Sequence, residues 1–416
     1  MDTLLHIVKT ITGLGATVIL PIIITLLGLL FRLKFGSAIK SGLLVGVGFL
    51  GLGLVVNLLN DSLQPAVDYY AKSGSGYTIT DIGWPAVGAA AWMAPFAALA
   101  IPLGLIINLA LVRLKWTKTL NVDIWNYMHF LIPGALAYFL FHSFWLGLII
   151  TLAMSVAALF IGDKIAPKWQ EYFGLEGTTN TTIIFSAWVY PIAWLTNKII
   201  DFIPGLNKLD ISLQKLNKRL GIIGDPVIIG VLVGIILGLV TRRPVTELLP
   251  MAVGIAGVMV LMPKVVGVMM EGLSPIGKAA KQFMLKRMGT SELNVGMDIA
   301  LGLGDPTTIT TTVVSIPIVI LFALILPGVH FFPIGLLMSV TYISVLCTLA
   351  SKGNLFRSIL STVVLCIITF YLEGYVAPGA TEMLTGAGVK VKGLGSDFVF
   401  SEPWNVLIYW INTLVK

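Results

Sequence analysis

The chain has 416 residues, of which 57% are hydrophobic and only 11% charged, and its mean hydropathy is +0.94. Soluble domains carry about 25% charged residues, so a globule of this composition could not cover itself with polar surface, and the sequence reads as an all-α polytopic membrane protein. The formal charge of +7 reports loops facing the cytoplasm and excludes a nucleic-acid binder, because no face clusters Lys and Arg with interleaved aromatics.

The N-terminal MDTLLHIVKTITGLG has a single Lys and no small-residue cleavage site, so it is not read as a signal peptide. Apolar spans long enough for a hydrocarbon layer of ~30 Å fall near 12–33, 40–59, 83–112, 129–161, 183–204, 225–240, 248–270, 297–328, 331–350 and 355–377, with a short one at 404–415. Two of them are interrupted: 83–112 by Pro85, Pro95 and Pro102, and 297–328 by Pro306, Pro317 and Pro327. Broken helices at membrane depth are tolerated only against protein or a wet cavity, which makes these two spans the first candidates for a transport path.

Charge orients the spans. Arg32, Lys34 and Lys40 place their loop inside, whereas Asp61, Asp68 and Asp81 against Lys72 place 60–82 outside. Arg113, Lys115 and Lys118, then 206–224 with Lys208, Lys215, Lys218 and Arg219, then Lys278, Lys281, Lys286 and Arg287, and finally Lys352 and Arg357 return to the inside. One alternating path with the N-terminus outside satisfies all of these except Arg242-Arg243. The expected organisation is a five-helix repeat at 1–205, a cytoplasmic basic linker at 206–224, and an inverted second repeat plus a C-terminal segment at 225–416, with about 10–11 transmembrane helices. Internal similarity supports it: 45–67 resembles 253–277, with Leu63 and Pro65 matching Leu273 and Pro275. Asp81 precedes Ile101-Pro102 much as Asp298 precedes Ile316-Pro317.

Several motifs read as packing. Gly46, Gly48 and Gly51 spell G-x-G-x-x-G inside a membrane span, without the strand that a dinucleotide site requires. Gly230, Gly234 and Gly238 share one helix face, as in close packing within lipid. Cys347 and Cys366 sit in apolar segments with no metal-ligand spacing, and no metal or cofactor is expected. No P-loop, H-E-x-x-H or Ser-His-Asp ordering appears, so the chain does not hydrolyse ATP by itself.

The stretch GMDIALGLGDPTTI (296–309) is different. Carboxylates inside a membrane segment are costly and usually face the bundle interior; the alternative is that Asp298 and Asp305 face water at a cytoplasmic mouth. Gly302, Gly304 and Pro306 break helical hydrogen bonding there. Asn126, His129 and His142 lie in an aromatic-rich segment with a break at Pro133-Gly134, a composition suited to a polyhydroxylated ligand, though His142 reads as a histidine of the aromatic belt. Residues 174–184, GLEGTTNTTII, form a polar cluster entering an apolar span, as a helix cap or a re-entrant tip.

Taken in order, GFLGLGLVVNLLNDSLQP, WNYMHFLIPGALAYF, FSAWVYP, MEGLSPIG and MDIALGLGDPTT resemble the galactitol-family IIC component of the bacterial sugar phosphotransferase system, over essentially the whole chain. More distantly, the arrangement is similar to the ascorbate IIC components. The resemblance implies an inner-membrane homodimer set in lipid, whose protomers hold a scaffold domain and a core domain that carries substrate in an elevator-like motion. It also implies a sugar alcohol substrate, galactitol above others, and IIA and IIB partners, with the phosphoryl group carried on a cysteine of IIB. Asp298 falls where an acidic residue contacts substrate in the ascorbate relatives, the Asn126–His129 segment where they place His and Gln, and Asn180–Thr182 where they place a second such pair. This chain has no Gln at either place and no His at 180–182, which fits a neutral alditol. Asp298 is then the candidate catalytic group, and Asp298, Asn126, His129, Asn180, Thr182, Asp305 and Asp81 are the candidate substrate ligands. The rival reading is a transporter coupled to H+ or Na+ through Asp298 and Asp305.

Overall fold

The structure, a computed structural model, describes residues 16–73, 78–123, 125–209, 211–213, 225–288, 293–388, 397–399 and 405–415. The expected basic linker lies outside the described residues at 210 and from 214 onward, and 74–77 of the expected outer loop do so as well.

In chain order the first elements are α1 (Ala16–Leu30), α2 (Phe35–Ser73), β1 (Ile79–Asp81), α3 (Gly83–Trp92), α4 (Ala97–Arg113), β2 (Thr119–Asn121), α5 (Trp125–Phe141), α6 (Phe144–Phe173), β3 (Thr178–Asn180), a π-turn at Phe185–Val189 and α7 (Tyr190–Phe202). After a 3-10 turn at Leu206–Lys208 follow α8 (Pro226–Val240), α9 (Val245–Met288), β4 (Asn294–Met297), a second 3-10 turn at Ile299–Gly304, α10 (Pro306–Ile325), α11 (Ile334–Ala350), α12 (Leu355–Gly386), β5 (Asp397–Val399) and α13 (Asn405–Val415). Among the described residues, α2, α6, α9, α10 and α12 hold stretches long and apolar enough to cross a membrane, and α1, α4, α8, α11 and α13 are shorter apolar helices. Leu26, Leu50, Ile149, Leu239, Val253 and Ile325 stand more than half exposed, an apolar exterior suited to lipid. The chain is a polytopic α-helical membrane protein.

Both triple-proline spans are broken. Residues 83–112 divide into α3 and α4 around Pro95, and 297–328 becomes a 3-10 turn followed by α10, which starts at Pro306. Three features depart from the expected spans. The 129–161 span is two helices, because His142 turns left-handed (φ 51°) and the Ser143 hydroxyl accepts from the Leu146 N–H at 3.3 Å, capping α6. The 40–59 span runs on as helix to Ser73, with Gln64 donating to Asp68 one turn later at 2.7 Å. Finally, among the described residues five strands of three or four residues appear where none was expected.

The chain forms two compact units, each drawing segments from both sides of the expected linker: Met1–Leu52, Gly88–Ala187 and Lys264–Leu301 in the first, Gly53–Val87, Trp188–Pro263 and Gly302–Lys416 in the second. In the first, α4 and α5 pack on α6. Gly134 brings the α5 backbone against Gly147 and Thr151 of α6, the small-residue contact that replaces hydrophobic drive inside lipid. A parallel sheet in the order β2-β4-β3 closes this unit, with Asn121 opposite Gly296 and Asn180 opposite Met297. Its buried strands satisfy one another's backbone groups, the condition for irregular chain at membrane depth.

In the second unit α10, α11 and α12 pack on one another, and α7 packs on α11 and α12. Arg357 pairs with Asp201 at 2.7 Å. Gly230, Gly234 and Gly238 of α8 face Ala256, Ala252 and Leu248 of α9, the close packing that their spacing predicts. Arg243, the exception to the charge pattern, pairs with Glu247 at 3.2 Å and donates to the Pro65 carbonyl. Strand β1 pairs in parallel with β5.

Candidate functional site

The first unit gathers its polar side chains at the ends of β2, β3 and β4. The outer strands read Thr-Leu-Asn and Thr-Thr-Asn, and each ends in an asparagine. Between them Gly296 lets the strands close: a side chain there would stand 2.6 Å from Thr181 Cγ2 and 3.0 Å from the Asn121 Cα. Side chains and backbone at the strand ends, from Asn121, Asp123, Asn126, 180–182 and 297–300, join in one cluster.

Asp298 is the first residue after β4 and is 7% exposed. Its backbone N–H donates to Asp123 Oδ2 at 3.0 Å, and its own Oδ1 accepts from the Ala300 N–H at 2.7 Å. Its Oδ2 faces the Thr182 hydroxyl at 3.3 Å. That hydroxyl carries a single hydrogen and lies closer to Asn126 Oδ1, at 2.8 Å, while accepting from the Ile299 N–H at 3.0 Å. The shorter contact takes the hydrogen, so Asp298 Oδ2 keeps acceptor capacity.

Asn180 supplies the complementary group. Its Oδ1 accepts from the Thr182 N–H at 2.8 Å, which turns the amide nitrogen the other way; Nδ2 is buried and has no hydrogen-bond partner. An unpaired amide donor in such surroundings costs about 1–3 kcal/mol. Thr182 therefore touches two residues with unused capacity: its hydroxyl faces the acceptor on Asp298, and its N–H holds the Asn180 amide whose donor is unused.

Asn126 is fully committed to the protein. Its Nδ2 donates to Thr181 Oγ1 at 2.9 Å and to Asn121 Oδ1 at 3.2 Å, and its Oδ1 takes the Thr182 hydrogen. His129, one turn along α5, is 6% exposed, stacks edge-on to Phe185 at 6.1 Å and lies near Asp298. Thus Asp298, Asn126, His129, Asn180 and Thr182 fall in one unit. Asn121, Asp123 and Thr181 join them unforeseen, although Asn121 and Asp123 stand just ahead of the quoted WNYMH stretch and Thr181 inside the polar TTNTT run.

The other two candidates belong to the second unit. Asp305 caps α10, its Oδ2 accepting from the Thr308 N–H at 2.8 Å and the Thr308 hydroxyl at 3.1 Å, ahead of Pro306 at the first helical position. Asp81 is buried, with Oδ1 accepting from the Gly83 N–H at 3.0 Å and Oδ2 from the Leu336 N–H at 2.9 Å. Cys347 and Cys366 are buried free thiols, and among the described residues no His, Cys, Asp and Glu cluster forms a metal site.

Comparison with known proteins identifies the family. Residues 10–393 match the EIIC-GAT family, described as the sugar-specific permease component of the PTS. The galactitol-specific EIIC component of the PTS from Escherichia coli K12 is 33% identical over 389 residues, 93% of this chain and 86% of that protein. A putative permease IIC component from the same strain is 34% identical over 407 residues, 98% of this chain and 93% of that protein. A match along this much of the sequence means that the chain belongs to the sugar-specific EIIC-GAT permease components of the phosphotransferase system, multi-pass proteins of the bacterial inner membrane.

Proposed function

We propose that the protein carries a sugar alcohol, galactitol above others, across the membrane and presents one of its hydroxyls for phosphorylation by a separate IIB subunit. The observation that carries this reading is that the two residues hydrogen-bonded to Thr182 each keep unused capacity, Asp298 Oδ2 as an acceptor and Asn180 Nδ2 as an unpartnered donor. A neutral hydroxyl donates and accepts at once and completes both. The relative that is named galactitol-specific supports the choice of alditol.

In this reading Asp298 binds a substrate hydroxyl by a charge-assisted hydrogen bond. As the phosphoryl group passes from the IIB cysteine to that hydroxyl oxygen, Asp298 takes the released proton. Asn180 donates to a substrate oxygen, His129 closes the aromatic side, and Asn126 holds Thr182. The chain works as a homodimer with an elevator-like core, as its family resemblance implies.

Two inverted repeats underlie the scheme. Supporting them, α1 and α8 both have 15 residues, α5 and α11 both have 17, and α6 and α12 have 30 and 32. Left-handed His142 and Lys352 stand at matching turns, with φ of 51° and 50°. Asp81 and Asp298 each accept from the N–H two residues on.

The test is alditol binding by calorimetry to purified Asp298→Asn and Asp305→Asn variants, with fold and assembly checked by size exclusion. Losing a hydrogen bond to a charged group costs about 1.5–3 kcal/mol, so Asp298→Asn should weaken galactitol by roughly ten- to a hundred-fold. Asp305→Asn should bind like the parent, because its side chain caps a helix. Normal binding by Asp298→Asn would remove this carboxylate from the site.

A further inference from the structure

The second unit holds a layer of hydroxyls that the transport site does not use. Thr311 and Ser315 on α10, Ser344 and Thr348 on α11, and Ser361 on α12 are all fully buried, and the hydroxyl of each has no hydrogen-bond partner. Serine and threonine inside apolar helices ordinarily close on their own backbone one turn back. Their neighbours do so here: Thr310 donates to the Pro306 carbonyl at 2.8 Å, Thr312 to that of Thr308 at 3.0 Å, Ser358 to that of Asn354 at 2.8 Å and Thr362 to that of Ser358 at 2.9 Å. The five exceptions make no such bond.

Their heights along the bundle coincide. The three helices pack on one another through short connections at 326–333 and 351–354, which makes consecutive helices antiparallel neighbours. Ser344 lies ten residues into α11 from Ile334, and Ser315 lies ten residues back from Ile325 at the end of α10. Thr348 and Thr311 lie fourteen residues from the same two ends. Ser344 is also six residues from Ala350, and Ser361 six residues from Leu355. At about 1.5 Å per residue, the three serines share one level and the two threonines form a second, about 6 Å further along. Five buried hydroxyls on three mutually packed helices thus lie at two adjoining levels.

We propose that these layers hold an internal cluster of ordered water bridging α10, α11 and α12. A buried water makes about three hydrogen bonds to polar groups that otherwise lack partners, so roughly two waters would satisfy the five hydroxyls. A cation is disfavoured by charge: Glu373 is twelve residues beyond Ser361 on α12, and Asp305 Oδ2 already accepts from Thr308. Bridging water fixes the spacing of the three helices while leaving them able to re-pair, unlike a direct side-chain contact.

The experiment joins a density map with a stability measurement on the purified full-length protein. A crystallographic or cryo-electron map that resolves ordered water should show peaks within hydrogen-bonding distance of Ser315 and Ser344 Oγ. Ser344→Ala should lower the thermal midpoint by about 2–4 °C, because the water it held loses a partner, and Ser361→Ala should do the same. If the hydroxyls lay unpaired in a dry interface, removing one would raise the midpoint, since a buried unsatisfied group is itself destabilising. That result would overturn the proposal, as would a map with no peaks and the hydroxyls rotated onto their own helix carbonyls. A midpoint that moves when choline replaces sodium would overturn it in favour of a bound cation. The map decides even where a variant fails to fold.

Discussion

Thr182 has one hydroxyl hydrogen and two acceptors near it, and the outcome decides what the cluster can bind. With the hydrogen on Asn126 Oδ1 at 2.8 Å, Asp298 Oδ2 at 3.3 Å is left for substrate. Thr182→Ser keeps the oxygen in place, so it should bind galactitol nearly as the parent does. Thr182→Val removes the acceptor for the Ile299 N–H and the donor to Asn126 together. Each orphaned group costs about 1–3 kcal/mol, and the predicted loss of affinity by calorimetry is at least roughly tenfold. Equal binding by the two variants would mean that Thr182 merely fills space. Asn180→Asp tests the donor. The new carboxylate can still accept from the Thr182 N–H, but its second oxygen replaces Nδ2 and adds a negative charge close to Asp298. Galactitol binding should fall while the fold, read by circular dichroism and size exclusion, persists; a variant that binds normally would place Asn180 away from the ligand.

At the scale of elements, the start of α11 shows how a carboxylate from a distant segment fixes a helix. Pro333 offers α11 no side-chain cap, and Asp81, 255 residues earlier, accepts from the Leu336 N–H in its stead. Gly335 allows the approach, since a side chain there would collide with Asp81 and the Gly83 backbone. Asp81→Asn would set an amide hydrogen group against a backbone N–H. It should lower the thermal midpoint while leaving galactitol affinity unchanged, and Gly335→Ala should destabilise at least as much. An affinity loss at a normal midpoint in Asp81→Asn would instead make Asp81 a ligand. The apolar spans and the breaks at Pro95 and Pro306 were legible in the sequence, because length and proline each act locally. The strands were not, since three residues such as Thr178–Asn180 carry no period, and their pairing with 294–297 depends on chain more than a hundred residues away. For the same reason Asp298, Asn126 and Asn180 could be named singly, but the bonds through Asn121, Asp123 and Thr181 that join them could not. The twin endings Thr-Leu-Asn and Thr-Thr-Asn were the one local trace of that sheet.

For the whole molecule, burial of both thiols bears on coupling and on topology together. Cys347 and Cys366 are wholly enclosed, and a buried apolar thiol is inert toward a phosphoryl donor. Cys347→Ser combined with Cys366→Ser should therefore leave phosphorylation-coupled uptake near normal in cells that supply IIB. Loss of coupling with intact galactitol binding would make one of them a carrier. The same double variant gives a cysteine-free background for the orientation test. Inverted repeats place corresponding points of the two halves on opposite sides of the membrane. The α2 segment near Asp68 and the α9 segment near Lys278 are such points, each beyond the proline that marks the match, Pro65 and Pro275. The acidic excess of 60–82 predicts that Asp68 is outside, and the lysines of 278–287 predict that Lys278 is inside. Both side chains are exposed, so a cysteine at either position is open to reagent from its own side. Asp68→Cys in whole cells should react with an impermeant maleimide, and Lys278→Cys should react only after the membrane is opened. Labelling of both from outside would contradict the inversion, because the halves would then run in the same direction. The reverse pattern would keep the inversion and turn the chain over, placing Arg242-Arg243 inside with the positive-inside tendency and nearly every other basic loop against it.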